Sequence, residues 1–460
     1  MNLTQKRRRH QLERFTHHAQ TTDAYSFFNV LTSPQLLSVV EEQLPPHRER
    51  LYPPTTTLAL FLAQAMNTDT SCQNTVNAHA VERVFNGLSS CSTLTGGYCK
   101  ARQRLPVEMV STLVKQTGRL IADQAPAAWR WQGRSVKLVD GTTVSMPDTP
   151  ANQQAYPQQG GQLSGLGFPI ARIVGVLCLS SGALLDAAMG AYKGKGASEH
   201  TLFRQLLDSF APGDMVLADC YYCSYFMIAM LLEKGVDVLF QQHASRKTDF
   251  RTGQRLRARD HIVVWQKPTI RPGWMSTAQY QDFPDELSIR ELKAGKKVLV
   301  TTLLSSKDAP KKALATLYHQ RWNVELDLRN IKTTLGMETL TCKTPTMNEK
   351  EMWVYFLAYN LIRLIMAEAA VQADLLPRQL SFKHTLQIWL VWSRQRFIAS
   401  DGENIDLLFM LIAAHRVGNR SRRIEPRAVK QRPKPYPLLM KPRNEARAEV
   451  RKNGHPRKLK

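Results

Sequence analysis

The sequence is short of several things that would define a class outright. It has no uninterrupted apolar run of membrane length: the most apolar stretch, Met352 to Ala370, is broken by Asn360 and Arg363, which suits a buried core helix and not a membrane span. No apolar segment follows the charged opening MNLTQKRRRHQLERF, so the N-terminus does not read as a secretory signal. Cysteine is scarce, seven scattered through 460 residues, which excludes a secreted disulfide framework and fits a reducing cytosol. Cys220 and Cys223 form one C-x-x-C with no second pair and no nearby His, so these cysteines are read as small packing residues. Neither Glu199-His200 nor any other of the twelve His shows zinc spacing, and structural zinc is not expected. GAYKGKGAS, from Gly190, lacks the G-x4-G-K-[ST] spacing of a phosphate-binding loop, which excludes a nucleoside triphosphatase.

Acidic residues are the other shortage. Only 38 Asp and Glu stand against 62 Lys and Arg, a formal net charge of +24, and the pI is about 9.9. A polyanionic partner is favoured, nucleic acid first. From Arg416 onward sixteen basic residues face three acids, so this tail carries +13 of the excess. Its proline and charge content predicts disorder, and phosphate contact there would weaken steeply with salt.

Periodicity divides the rest. Residues 1–29 read as a basic arm. From 30 to 128, SPQLLSVVEEQL, TLALFLAQAM and PVEMVSTLVKQTGRLIADQ keep helical spacing without strand alternation, which predicts an all-helical domain suited to DNA binding. Within it, TGGYCKARQRLP sets Lys100, Arg102 and Arg104 on a short helix, compatible with a DNA-reading head and equally with a solvated basic helix. From Arg134 three β-branched runs, a helix, the strand DMVLADCYY, a further helix and VDVLFQQ predict a mixed α/β sheet covered by helices. This core spans 129–243 and 306–340, around a β-rich insertion at 244–305. Helices return over 341–415, before the basic tail at 416–460.

Two acids close apolar strands: Asp140 after Val136 to Val139, and Asp219 after Met215 to Ala218. Either alone reads as a turn cap. Together they lie where ligands gather in open sheets, at the carboxyl ends of strands. A third acid sits in ALATLYHQRWNVELDLRNIKTTLG. There Leu317, Val324, Leu328, Ile331 and Leu335 form a core stripe, and Tyr318, Arg321, Glu325 and Lys332 a polar one beside it, in a helix expected to run from Lys311 to Gly336. Clustered carboxylates are what DNA phosphoryl transfer needs, because two Mg²⁺ ions about 3.5–4 Å apart must serve both attacking and leaving oxygens.

At these residues the sequence resembles a known family, the bacterial insertion-sequence transposases of family 4 within the DDE superfamily. The likeness rests on Y-x2-R-x3-E-x6-K at Tyr318, Arg321, Glu325 and Lys332, with VDGTTV around Asp140 and LADCYYCSYF around Asp219. It extends to RLYPPTTTLALFLAQ, TGGYCKARQRLP, GFPIARIVG and RPKPYPLLMKPRNEAR, and departs at Cys220, where an Arg often follows the second Asp. The resemblance implies a ribonuclease H-like core and cut-and-paste transposition through nicking, a hairpin and joining to target DNA. Asp140, Asp219 and Glu325 would ligate Mg²⁺, for which Mn²⁺ can substitute. Tyr318, Arg321 and Lys332 would hold DNA phosphates; Trp265 and Trp274 are the candidates to receive a flipped base, with buried or surface packing the favoured role for both. The implied partner is double-stranded DNA, both terminal inverted repeats and target, bound by a homodimer in the bacterial cytoplasm at the nucleoid. A metal-dependent nuclease that does not join strands, and a non-catalytic DNA-binding protein, remain the alternatives.

Overall fold

A computed structural model describes residues 51–85, 87–163, 165–194, 196–395, 405–418 and 439–455. The basic arm, the predicted helix SPQLLSVVEEQL and tail residues 419–438 and 456–460 lie outside the described residues. Among the described residues four helices come first: α1 (Pro54–Met66), α2 (Cys72–Phe85), α3 (Gly96–Arg104) and α4 (Val107–Asp123). In α4, Met109, Val110, Leu113, Val114, Thr117 and Ile121 recur at steps of three and four, so one continuous stripe is buried. That stripe, with Leu58, Phe61 and Leu62 of α1, shares an apolar cluster with sheet residues Leu138, Leu184 and Leu217. Gly118 permits the closest approach, since a Cβ there would lie 2.1 Å from the Leu184 carbonyl oxygen.

The α/β part follows as β1 (Val136–Ser145), α5 (Pro150–Ala155), β2 (Ile170–Cys178), β3 (Leu184–Ala191), α6 (Glu199–Arg204), β4 (Met215–Ala218), α7 (Tyr225–Glu233) and β5 (Asp237–Gln241). Next come β6 (Gln254–Arg257), β7 (Asp260–Gln266), α8 (Thr277–Asp282), β8 (Glu286–Ala294) and β9 (Lys297–Thr301). These described strands form one nine-stranded sheet in the order β3-β2-β1-β4-β5-β9-β8-β7-β6. β1, β4 and β5 run parallel; the other neighbours are antiparallel. The β-rich segment after β5 therefore extends the same sheet, joined by β5 pairing with β9.

Alternation along the strands fills two faces. Leu138, Leu217, Leu239 and Leu299 enter the cluster shared with α4, whereas Val139, Val216, Val238 and Val300 enter a second one with α6 and α7. The first face is covered by α9 (Lys311–His319), α10 (Asn323–Arg329) and α11 (Pro345–Gln372), followed by α12 (Phe382–Gln395) and α13 (Ile405–Ala414). α11 is the one described helix long and apolar enough to cross a membrane, yet 78% of its most apolar window is buried inside the protein. Its polar residues are satisfied there: Asn360 exchanges hydrogen bonds with the Leu184 backbone, and Arg363 pairs with buried Asp327.

Two expectations change. The helix expected from Lys311 to Gly336 is interrupted by a 3₁₀ turn at Gln320–Trp322 and a π-helical turn at Asn330–Thr334. Within the tail expected to be disordered, Arg443–Asn453 forms α14, started by Pro442 and ended at Gly454, whose φ is 78°. RNEARAEVRKN is rich in helix formers, and Lys441 pairs with Glu449 on it.

Candidate active site

Strand register sets the first two acids. β1 and β4 pair in parallel with Leu138 opposite Leu217. Two residues further along each chain come Asp140 and Asp219, on the same face as those leucines because side chains alternate. The pairing of β1 with β4 ends at Leu138, so the backbone at Asp140 has an open edge on that side. Asp140 Oδ1 accepts from the Gly141 amide at 2.9 Å, and Asp219 Oδ1 from the Tyr221 amide at 2.8 Å. Both carboxylates thus stand just past the point where β1 and β4 cease to pair, facing the side that α9 and α10 cover; Asp219 follows the end of β4, whereas β1 runs on through Asp140 to Ser145 along β2, so Asp140 does not close its strand as expected.

The helices bring the others. Leu317, Val324, Leu328, Ile331 and Leu335 are all buried, as their spacing predicts. Arg321 lies on the 3₁₀ turn with its guanidinium between two acids, 3.3 Å from Asp140 Oδ2 and 3.1 Å from Glu325 Oε1. Tyr318 is buried and donates its hydroxyl to the Ala218 carbonyl at 3.3 Å, which ties α9 to the end of β4 beside Asp219. Lys332 is half-buried on the π-helical turn and has no ion-pair partner among the described residues. π-Helical turns are often found at functional sites, where the extra residue re-aims a side chain. Burial raises the Asp140 carboxyl to about 6; the Gly141 amide and Arg321 pull it down, and the charges of Asp219 and Glu199 push it up. Asp140, Arg321 and Glu325 are therefore in direct contact, Asp219 acts on Asp140 through its field, and Lys332 stands apart.

Several residues here carried no signal in the sequence. Glu199, at the start of α6, accepts a hydrogen bond from the Tyr222 hydroxyl at 3.0 Å and lies 3.8 Å from Arg172. Beside Arg321, a cleft of about 250 Å³ is lined by Lys297, Leu299, Tyr318, His319 and Trp322, the last 57% exposed. The sequence's own aromatic candidates are placed differently. Trp265 is buried and donates its indole N–H to Glu291, with Arg246 stacked on its ring, and Trp274 is covered by Arg204 at 3.9 Å. Arg102 is also buried, hydrogen-bonded to Gln64 and Cys72, so only Lys100 and Arg104 of that basic helix face outward.

The donor set around Asp140 is made of carboxylate oxygens, the ligands that Mg²⁺ prefers, with no thiolate or imidazole in contact. In kind, the residues fit a magnesium ion. Among the described residues, however, no group of three or more His, Cys, Asp or Glu is drawn together tightly enough to hold a metal. Arg321 occupies the space between Asp140 and Glu325 and must withdraw before these two can share a cation.

Comparison with known proteins gives concordant results. The sequence profile of the Transposase DDE domain family matches residues 131–361, the span from just before β1 into α11. The chain is 30% identical over 353 residues to a protein of Escherichia coli (strain K12) named Transposase InsG for insertion sequence element IS4, covering 74% of this chain and 78% of that one. Over 137 residues it is 26% identical to the InsZ protein of the same organism, covering 30% of this chain and 45% of that one.

Proposed function

The chain belongs to the DDE transposases related to that of IS4, and we propose that it moves an insertion sequence by Mg²⁺-dependent cut-and-paste transposition. One observation carries this reading: Asp140 and Asp219 share a face just past the point where the parallel strands β1 and β4 cease to pair, with Glu325 linked to Asp140 through Arg321. On this reading the sheet from β3 to β5 is a ribonuclease H-like core. Asp140, Asp219 and Glu325 hold the divalent ions. Such ions, when bound, activate the attacking oxygen and neutralise the leaving one.

The chain's own residues supply positioning. Arg321 binds phosphate oxygens through its planar fork and Lys332 as a point charge, so both cations turn toward the backbone of the transposon end. Tyr318 holds the 3₁₀ turn against β4 and presents its ring to the adjoining cleft. Trp322 and Tyr318 there give an unstacked base an aromatic wall, the role first sought at Trp265 and Trp274. Strand nicking, a hairpin and joining to target DNA would follow at one site, with two chains bringing two inverted repeats together. The helices α1 to α4, the basic arm and the tail add backbone contacts. Such a protein acts in the bacterial cytoplasm, on nucleoid DNA.

Replacing Asp140, Asp219 or Glu325 by Ala is expected to lower Mg²⁺-dependent cleavage of DNA carrying the flanking inverted repeats by at least about a thousandfold, with end binding retained. Wild-type cleavage by any one variant would remove that residue from the reading. A strand-transfer assay on the wild type separates a transposase from a nuclease that only cuts.

A further inference from the structure

Gly141, the residue after Asp140, faces away from the site. It has the parity of Val139 and so points to the second face, toward α6. The Glu199 carboxylate lies directly beneath it: a Cβ at Gly141 would be 2.5 Å from the carboxyl carbon and 2.7 Å from each oxygen. A side chain at position 141 would push the Glu199 carboxylate out of this position. Glu199 Oε2 meanwhile accepts from Tyr222, three residues after Asp219 on the turn that leaves β4. One carboxylate thus touches the segment carrying Asp140 and the segment carrying Asp219, at the level where β1 and β4 have ceased to pair.

β1 stays paired with β2 past Asp140, but its pairing with β4 reaches no further than Leu138 and Leu217, so the separation of Asp140 from Asp219 has no ladder of its own. Tyr222 is buried, and its burial, together with the charges of Glu199, Asp140 and Asp219, holds its hydroxyl protonated as a donor. Arg172, on β2, restrains Glu199 from the other side and is itself anchored to the Ala197 carbonyl at 2.7 Å. The Glu199 charge is also felt at Asp140.

We propose that Glu199 is a positioning residue that braces Asp140 and Asp219 from the opposite face of the sheet, sets their spacing and adds negative charge behind the cation they share. The inference rests on the proposed role of those two aspartates. Mg²⁺ demands near-ideal octahedral geometry and is sensitive to a shift in ligand spacing; a larger, more tolerant ion is less so. Loss of an outer group that orients ligands costs about 10–100-fold in metal affinity.

The test uses the full-length chain on a duplex bearing the flanking inverted repeats, with bound Mn²⁺ followed by electron paramagnetic resonance and displaced by Mg²⁺. Glu199→Gln keeps an acceptor for Tyr222 and removes the charge; Tyr222→Phe removes the hydrogen bond and keeps the charge. Both are expected to weaken Mg²⁺ binding by about tenfold and Mn²⁺ binding by less, with metal-free end binding and the thermal midpoint unchanged. Should Glu199→Gln unfold, Tyr222→Phe decides alone. Wild-type constants for both ions in the folded variants, while Asp219→Asn loses the tight site, would overturn the brace and leave the aspartates' role standing. A tight site that survives in Asp219→Asn would instead overturn the role of the aspartates themselves.

Discussion

Two arginines in this protein each meet carboxylates, with opposite consequences. Arg290, on β8, binds both oxygens of Asp260 at 2.8 Å, and its remaining N–H groups reach the carbonyls of Leu303, Ser305 and Ala309. Both side chains are 0% exposed. Arg321 divides its fork between Asp140 and Glu325 at 3.3 and 3.1 Å and is 13% exposed. The first pair is closed: every partner is taken, and the fork ties the β-rich half of the sheet to the loop before α9. The second is open, Arg321 reaching each acid by a single longer contact. A guanidinium and a carboxylate make a fastener or a movable plug according to how completely they saturate each other away from water.

The largest effect that would sharpen this contrast is expected at the closed pair. Arg290→Ala leaves Asp260 charged, buried and alone, which costs about 3–5 kcal/mol. Urea denaturation should show the loss, whereas Arg321→Ala should shift the same midpoint by less than about 1 kcal/mol. Equal losses would mean that the open contact is as structural as the closed one.

Next in size is the acid at the open contact. Asp140 has a folded pKa of about 6, raised above its ordinary 3.8 chiefly by burial. The folded protein therefore holds that proton more tightly than the unfolded chain, and between about pH 4 and 6 rising pH removes stability. Above pH 6 the whole cost is in place, on the order of 3 kcal/mol for a shift of roughly two units. Asp140→Asn is thus expected to stabilise the metal-free protein at pH 8 by about that amount while abolishing cleavage, and the gain should vanish toward pH 4. A variant less stable than wild type at pH 8 would show that Arg321 outweighs burial at this position.

What the sequence reveals and conceals follows the same division. The strand that ends before Asp219, and the buried stripe of α9 and α10, are written in short-range alternation and helical spacing, so they are legible; that β1 runs on past Asp140 is not, because Gly141 and the threonines after it read as a turn and are held in the strand by β2. The turn types around Arg321 and Lys332 are not either: the 3₁₀ and π-helical turns lie beside long-range contacts, Tyr318 on Ala218 and Asp327 on Arg363, that no local pattern encodes. Glu199 is invisible for a similar reason, since its importance comes from the side chain that Gly141 lacks. Charge alone misplaced Arg102, because a guanidinium that finds Gln64 and two aromatic faces is content in a core. Trp265 takes the packing role favoured for it, closed in by Arg246 and Glu291.

The smallest expected effect tests the plug directly. In the free protein, a cation binding between Asp140 and Glu325 must displace Arg321. On the proposed reading a DNA phosphate would offer that guanidinium a bidentate partner, and accepting it would release both acids. End DNA and metal should therefore assist each other, and by linkage the factor must be the same in both directions. End DNA is expected to tighten Mn²⁺ binding about tenfold, some 1.4 kcal/mol, after subtraction of the same titration on Asp219→Asn. In Arg321→Gln the factor should fall toward one, because the DNA-free protein already binds the ion more tightly and DNA has nothing left to unplug. An undiminished factor in that variant would mean that DNA organises the acids by another route, and Arg321 would then be a phosphate contact only.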